Sequence, residues 1–502
     1  MDIFSNLAIG FSVSLTATNV GYCFLGALIG TFIGVLPGIG PTVTIALLIP
    51  LTYKLHTATA IIMLAGIYYG AQYGGSTTSI LVNLPGEASS VVTCLDGYQM
   101  ARKGRAGPAL GISAFGSFIA GTIATFGLAL LAPPMADFAL KFGSPEYFGL
   151  LCFGLIAATF MAQGSMLKSL VMVILGLLVG TVGRDLVTSY PRFVYGIPEL
   201  EDGIGLVPVI MGLFGVGEIL RNMESPLGAR TVYHEHIRGL LPSRKDWRLS
   251  IGPILRGAVV GFFAGVLPGG GGGLASYTSY ALEKKVSKAP QEFGKGAIQG
   301  VAGPEASNNA GSQGAFIPLL TLGIPANSVT ALLVGALMIH GVQPGPQIIS
   351  HSPDIFWGVI TSMYLGNAFL LVLNLPLIGM WVRMLRVPYR IMFPVILLFC
   401  MIGVYSMNNS IFEIYLLGVF GIIGYFLSKL EFELAPMILA FVLGPMMEDA
   451  LKQSLLISQG NLMIFVTHPI SAFFLGMASL CIFLQLIPFV KKFRALAMKE
   501  GS

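Results

Sequence analysis

The chain has 502 residues, 55% of them hydrophobic and only 10% charged, with a formal net charge of +5 and a mean hydropathy of +0.81. Soluble domains carry about 25% charged residues, so this balance excludes an ordinary soluble enzyme or nucleic-acid-binding domain and points to an all-α polytopic membrane protein. A β-barrel is excluded as well, because barrel strands alternate apolar and polar residues over about ten positions, a pattern this chain lacks.

The N-terminus, MDIFSNLAIGFSVSL, lacks the basic start and small-residue cleavage site of a signal peptide, so it is expected to be retained. The first informative segment is GALIGTFIGVLPGIG at 26–40. It returns at 257–271 as GAVVGFFAGVLPGGG, identical at 10 of 15 positions. Gly26, Gly30 and Gly34, with Gly257, Gly261 and Gly265, form stripes that let helices approach closely. Packing does not account for the residues just beyond the stripes. In Pro37–Gly38–Ile39–Gly40 and Pro268–Gly269–Gly270–Gly271, proline removes a backbone donor and glycine permits conformations that helices exclude. Gly269 to Gly273 are consecutive glycines, each costing roughly 1 kcal/mol relative to alanine in a helix. Unwound backbone at membrane depth is tolerated only against protein or a water-filled cavity. Interrupted helices in corresponding places of two halves are the sequence pattern of a transporter binding site.

The duplication continues beyond the breaks. Residues 76–87 face 316–327, pairing Pro85 with Pro325 and Glu87 with Asn327, while Ser165 and Gly176 pair with Ser410 and Gly421. Stretches 108–132, 146–163, 167–183, 355–379, 391–407, 411–428 and 463–489 meet the roughly 20 apolar residues a membrane-crossing helix needs. The expected layout is repeat one at 1–220, a cytoplasmic basic linker at 221–250 and repeat two at 251–450. An extra C-terminal transmembrane helix and basic tail fill 451–502, giving about 12 transmembrane segments in all. Cytoplasmic loops are enriched in Lys and Arg, and equivalent loops of the two halves show opposite bias. The loop with Arg102, Lys103 and Arg105 is basic where its counterpart, His340–Gln347, has no Lys or Arg. Conversely, Lys54 stands alone where half two carries Lys284, Lys285, Lys288 and Lys295. That reversal is expected of inverted-topology repeats with the C-terminus inside. Arg184 and Arg192 break the pattern, leaving a parallel repeat as the alternative.

A helix restarting after Pro-Gly presents free N–H groups and about half a positive charge, which suits a carboxylate. Carbonyls, hydroxyls and amides nearby suit a hard cation such as Na⁺. The substrate-binding candidates are Pro37, Gly38, Ile39, Gly40, Thr42, Ser76, Thr77, Asn83 and Pro85 in half one. In half two they are Pro268, Gly269, Gly270, Gly271, Asn308 and Asn309. The ion-coupling candidates are Thr44, Thr78, Ser276, Glu305, Ser307 and Ser312. Glu305 sits in GPEASNNAG, 303–311, a run too polar to face lipid. An ionisable group at mid-membrane costs on the order of 3 kcal/mol and marks a pathway. The alternative is that 284–312 is a re-entrant or surface loop with Glu305 solvated, and Glu87 carries the same two readings. The five cysteines and six histidines show neither CxxC nor HExxH spacing, so no metal site, disulfide framework or cofactor is implied beyond a coupling ion. No G-x-x-x-x-G-K-[ST] loop for ATP occurs, and nothing points to an enzyme.

The motifs GVLPGIGPT, YGGSTTSILVNLPGE, GVLPGGGGG and GPEASNNA, in this order, resemble the hallmark segments of the large membrane subunit of tripartite tricarboxylate transporters, the TctA family. The resemblance spans essentially the whole chain. It implies a bacterial inner-membrane secondary transporter importing citrate-like or other small carboxylates, driven by a Na⁺ or H⁺ gradient. It also implies two partners, a small membrane subunit with only a few helices and a periplasmic solute-binding protein; a homodimeric assembly is compatible with it. A channel or facilitative pore for small organic anions is the alternative, since broken half-helices also build pores.

Overall fold

Apolar stretches of membrane-crossing length, with no water-exposed polar face, become helices because only a helix satisfies every backbone donor and acceptor internally. The computed structural model describes residues 3–36, 40–161, 165–185, 188–224, 239–384 and 389–486. Pro37, Gly38 and Ile39, the linker core 225–238 and the tail with Lys491, Lys492 and Arg494 lie outside them. Among the described residues the one sheet pairs Gly183–Arg184 with Pro191–Arg192; almost everything else is helical. Among the described residues five helices are long and apolar enough to cross a membrane: Ala17–Val35, Ala106–Ala139, Arg244–Val266, Pro353–Asn374 and Ile411–Lys429, accompanied by shorter apolar helices. Helix Ile411–Lys429 exposes Tyr415, Val419, Ile422 and Phe426, an i, i+4, i+7, i+11 stripe matching a hydrocarbon surround.

The glycine stripes set the core packing. A Cβ at Gly26, Gly30 or Gly34 would lie 2.2, 2.5 or 2.3 Å from the carbonyl oxygens of Met63, Ile67 and Ala71. Helix Ala17–Val35 therefore lies against helix Thr57–Val82 with backbones touching. In half two, Gly257, Gly261 and Gly265 meet the carbonyls of Gly303, Ser307 and Gly311 at 2.4, 2.1 and 2.1 Å by the same measure. Residue numbers rise together across each seam, so each pair runs parallel and the helix between must return. Helix Gly271–Val286 does so: Arg256 pairs bidentately with Glu283 at 2.8 and 2.6 Å, and Ser307 donates to the carbonyl of Ala275 at 2.9 Å. Gly40–Thr52 is the corresponding return in half one. The second Pro-Gly break is thus the tip of a helical hairpin. Three glycines of the second break, Gly271 to Gly273, open the returning helix rather than lying in the unwound segment. Gly271 has φ +79°, and at Gly272 a Cβ would lie 3.0 Å from that of Ser89, an approach only glycine permits.

The halves interlock. Helix Ala106–Ala139 of half one packs along Gln299–Gly314 of half two, and Pro353–Asn374 of half two packs along Thr57–Val82. Thr57–Val82 runs antiparallel to the segment containing Gln299–Gly314 and Phe316–Leu322: Ser76 bonds Glu305, whereas the Tyr68 ring meets that of Phe316 at 6.4 Å. The two helix ends match in detail. Asn83 (φ 57°) and Gly323 (φ 72°) terminate them in left-handed turns, as asparagine and glycine do at helix C-termini. Four residues later Glu87 and Asn327 cap the next helices, each in a capping box, with Ser90 and Thr330.

The segment 299–314, for which a surface loop was one reading, is a helix with Gly300 to Gly314 buried throughout. The basic loops gather at one end, where Lys103 donates to the carbonyl of Lys295 and Arg105 pairs with Asp246, both at 2.5 Å. The two arginines that depart from the charge pattern are both neutralised. Arg184 pairs with Glu201 at 2.5 Å, and Arg192 chelates Glu448 at 2.6 and 3.2 Å.

Candidate functional site

The described part of the site is built from the second hairpin tip, the restart of the first, and the two capped turns. At the second tip, Leu267 is extended, Gly269 has φ +77°, and the Gly269 N–H donates to the carbonyl of Ala326 at 2.8 Å. A Cβ on Gly269 would lie 2.4 Å from the Cα of Ala158, and one on Gly271 would lie 3.3 Å from Asn327 Nδ2. Gly40 is the counterpart of Gly271 and shares its left-handed backbone, with φ +64°. Thr42, two residues into that helix, shares a 3.3 Å hydroxyl–hydroxyl bond with Ser328. Adjacent residues 327 and 328 therefore touch one restart each. Asn327 also donates to the Tyr68 hydroxyl at 3.0 Å. From half one, Ser89 lies between Glu87 and the side-chain oxygen of Gln72, which it meets at 2.6 Å. Gly40, Thr42, Pro85, Glu87, Pro268, Gly269, Gly270, Asn327 and Ser328 are all half-buried, so these elements form a partly open polar ring.

Next to the ring lies an enclosed polar cluster. Gln72 joins the two, because Ser76, which meets the Gln72 carbonyl at 3.0 Å, also donates to Glu305. Glu305 is fully buried. Its carboxyl group accepts from Ser76, Thr93 and Ser113, the last at 3.2 Å. Its backbone carbonyl accepts from Ser117 at 3.2 Å and Asn309 at 3.1 Å. No Lys, Arg or His among the described residues forms an ion pair with it. Asn309 Oδ1 and the Tyr73 hydroxyl are buried without partners. A carboxylate held only by neutral donors leaves net charge in a low-dielectric interior, which a proton or small hard cation neutralises, and unpartnered oxygens suit such a cation.

Of the substrate candidates, Gly40, Thr42, Pro85, Pro268, Gly269 and Gly270 fall in the ring, with Gly271 buried at its edge. Ser76, Asn308 and Asn309 join the Glu305 cluster. Thr77 is buried on the same helix, whereas Asn83 is exposed at its end. Most ion candidates use their hydroxyls on backbone carbonyls: Thr44 on Gly40 (2.9 Å), Thr78 on Val35 (2.8 Å), Ser276 on Pro304 (3.3 Å), Ser307 on Ala275 (2.9 Å) and Ser312 on Asn309 (2.8 Å). They stitch hairpins to neighbouring helices or close local turns. Sequence reasoning missed Gln72, Ser89, Thr93, Ser113 and Ser117. Ser113, Ser117 and Thr125 recur at multiples of four along an apolar helix, and so do Glu305, Asn309 and Gln313. The two stripes meet, with Ser117 accepting from Asn309 at 2.8 Å and Thr125 donating to Gln313 at 2.7 Å.

Hairpin tips, a half-buried polar ring and an enclosed carboxyl cluster inside an apolar bundle define a multi-pass membrane protein whose polar interior is assembled from both halves. Residues 20–439 match the Tripartite tricarboxylate transporter TctA family, and the chain belongs to that family. It is therefore the large-subunit component of a tripartite tricarboxylate transport system. The chain is 53% identical over 494 residues, 98% of each chain, to the Agrobacterium vitis protein described as "Uncharacterized 52.8 kDa protein in TAR-I ttuC' 3'region". It is also 53% identical over 234 residues, 47% of this chain and 97% of the relative, to "Uncharacterized protein in TAR-II ttuC' 3'region" of the same organism. No solved structure matches.

Proposed function

We propose that the chain is the ion-coupled permease subunit that imports small carboxylates of the tricarboxylate or dicarboxylate class across the bacterial inner membrane by alternating access. The carboxylate binds in the ring, and Na⁺ or H⁺ is carried at the Glu305 cluster. The observation that carries this reading is that Asn327 and Ser328, neighbours in the chain, contact the two hairpin restarts, with an uncompensated buried carboxyl group linked to the ring through Gln72 and Ser76. The N-termini of the two returning helices supply anion recognition without a dedicated basic side chain. An anion entering beside Glu87 and Glu305 needs an accompanying positive charge, which is the physical basis of symport.

Several features support an inverted-topology repeat of about 12 transmembrane segments. Equivalent helices 57–82 and 299–322 are antiparallel, and their terminal turns match pairwise. Basic loops of non-equivalent position share one end, which the positive-inside rule makes cytoplasmic, along with the C-terminus. The small membrane subunit and a periplasmic solute-binding protein complete the assembly, as expected of the family.

The test is uptake into proteoliposomes containing the reconstituted assembly, with a panel of small carboxylates and imposed Na⁺ or H⁺ gradients. Accumulation against the solute gradient, abolished when the ion gradient is collapsed, is the expected result. Equilibration without accumulation would instead make the chain a facilitative pore.

A further inference from the structure

A second feature lies apart from the hairpin tips. A cavity of about 500 Å³ opens among the end of helix Met166–Gly180, the 202–208 segment, the C-terminal end of Ser328–Ile339 and helix Ala435–Ile457. That volume falls in the range of sites for small organic ligands. Val179, Leu206, Val207, Ile339, Phe441 and Val442 make its walls predominantly apolar. Charged groups also line it. Arg192 gives both terminal nitrogens to Glu448, and Lys452 bridges Glu448 at 2.7 Å and Asp185.

Two polar groups in this lining are left unsatisfied. Glu413 is only 8% exposed; its Oε1 accepts from Asn408 at 2.7 Å, while its Oε2 has no partner. The Oε2 atom would lie 3.1 Å from a Cβ on Gly205, which, like Glu413, lines the cavity. Arg192 Nε is buried and likewise unpartnered. Buried unpaired groups of this kind are costly, so a ligand that satisfies both has a physical reason to bind.

We propose that this cavity holds the headgroup of a zwitterionic phospholipid bearing a primary ammonium, such as phosphatidylethanolamine. The ammonium donates to Glu413 Oε2, and the phosphate accepts from Arg192 Nε. The glycerol and first methylenes lie along the apolar walls, leaving past Met338, which is 57% exposed at the rim. The transported carboxylates do not fit this chemistry, because apolar walls and an unpartnered carboxylate disfavour a compact polyanion. A quaternary choline head lacks the N–H donors, and a glycerol head lacks the charge. The site also connects to the ring: Ser328–Ile339 starts in the polar ring and ends here, and at Gly335 a Cβ would lie 2.5 Å from Leu206. Lipid occupancy therefore bears on the position of a helix that contacts both hairpin restarts.

The full chain, purified in detergent, is analysed by mass spectrometry for retained lipid. After delipidation it is titrated with phosphatidylethanolamine, phosphatidylcholine and phosphatidylglycerol while thermal stability is followed. One phosphatidylethanolamine should be retained per chain. The other two lipids should bind about tenfold more weakly, the loss of one hydrogen bond to a charged group. Glu413→Gln should remove this preference. Ile339→Trp, which fills the cavity from its apolar side and leaves every charge in place, should abolish retention of all three and keeps the test valid if Glu413→Gln fails to fold. Equal binding of the three lipids, preference for phosphatidylglycerol, or wild-type retention by Ile339→Trp overturns the proposal.

Discussion

Gly269 and Gly40 offer a matched pair of perturbations. Both have left-handed backbone, with φ +77° and +64°, so alanine at either position incurs about 1–2 kcal/mol of backbone strain. Their surroundings differ. A Cβ at Gly269 would lie 2.4 Å from the Cα of Ala158, whereas one at Gly40 meets nothing within 4 Å. The obstacle at Gly269 is backbone, not a side chain that can swing away, so overpacking adds about 1–3 kcal/mol. The expected costs are about 1–2 kcal/mol for Gly40→Ala and about 2–5 kcal/mol for Gly269→Ala. The difference corresponds to a factor of about 5–150 in the population of the native tip. Thermal unfolding in detergent, paired with initial uptake rates in proteoliposomes, measures both. Gly269→Ala should be clearly the worse variant in each assay, with membrane insertion preserved. Equal effects, or a greater effect at Gly40, would refute the packed-tip account of the second hairpin.

Glu305→Gln can place its amide nitrogen at the Thr93 side and keep an acceptor for Ser76 and Ser113. It should therefore fold at a cost of about 1 kcal/mol, yet take up solute without cation dependence or not at all. An unchanged half-saturating Na⁺ or H⁺ concentration would move the coupling site elsewhere. At the basic end, Arg105 is 43% exposed whereas Asp246 is 7% exposed and also accepts from the Ser243 backbone and hydroxyl at 3.0 and 2.7 Å. Melting curves should show Arg105→Ala costing under about 1 kcal/mol and Asp246→Ala about 1–2 kcal/mol; the reverse order would contradict the capping role.

What the sequence discloses and what it hides divide along a physical line. Apolar length alone locates helices such as Ile411–Lys429 within a residue or two, because a bilayer-facing surface must be apolar. The internal repeat foretells the paired turns at Asn83 and Gly323, since both must reverse the chain at the same place. Helix Gln299–Gly314 was harder to recognise. Its SNNAGSQG run has the composition of a loop, and only burial against Ser113, Ser117 and Thr125, far away in the chain, makes it a stable helix. Single hydroxyls in apolar helices carry no signal read one at a time; read as a period-four row they do. Thr93 has no such row and emerges only in three dimensions. The terminal nitrogens of Arg192 puzzle a charge count until Glu448, more than 250 residues on, is seen to chelate them.

The seams between each hairpin's outer arm and its partner helix have a consequence for how this molecule changes over generations. At six places a hydrogen, not a methyl group, faces a carbonyl oxygen that cannot retreat. No single replacement there is neutral, and a compensating change in the opposing strand of atoms does not exist, because that surface is main chain. Between the two segments, intervening positions differ, Leu28 against Val259 and Thr31 against Phe262, while the six glycines pair. The echo between 26–40 and 257–271, 10 of 15 letters, sits on these glycine seams, where steric tolerance is lowest.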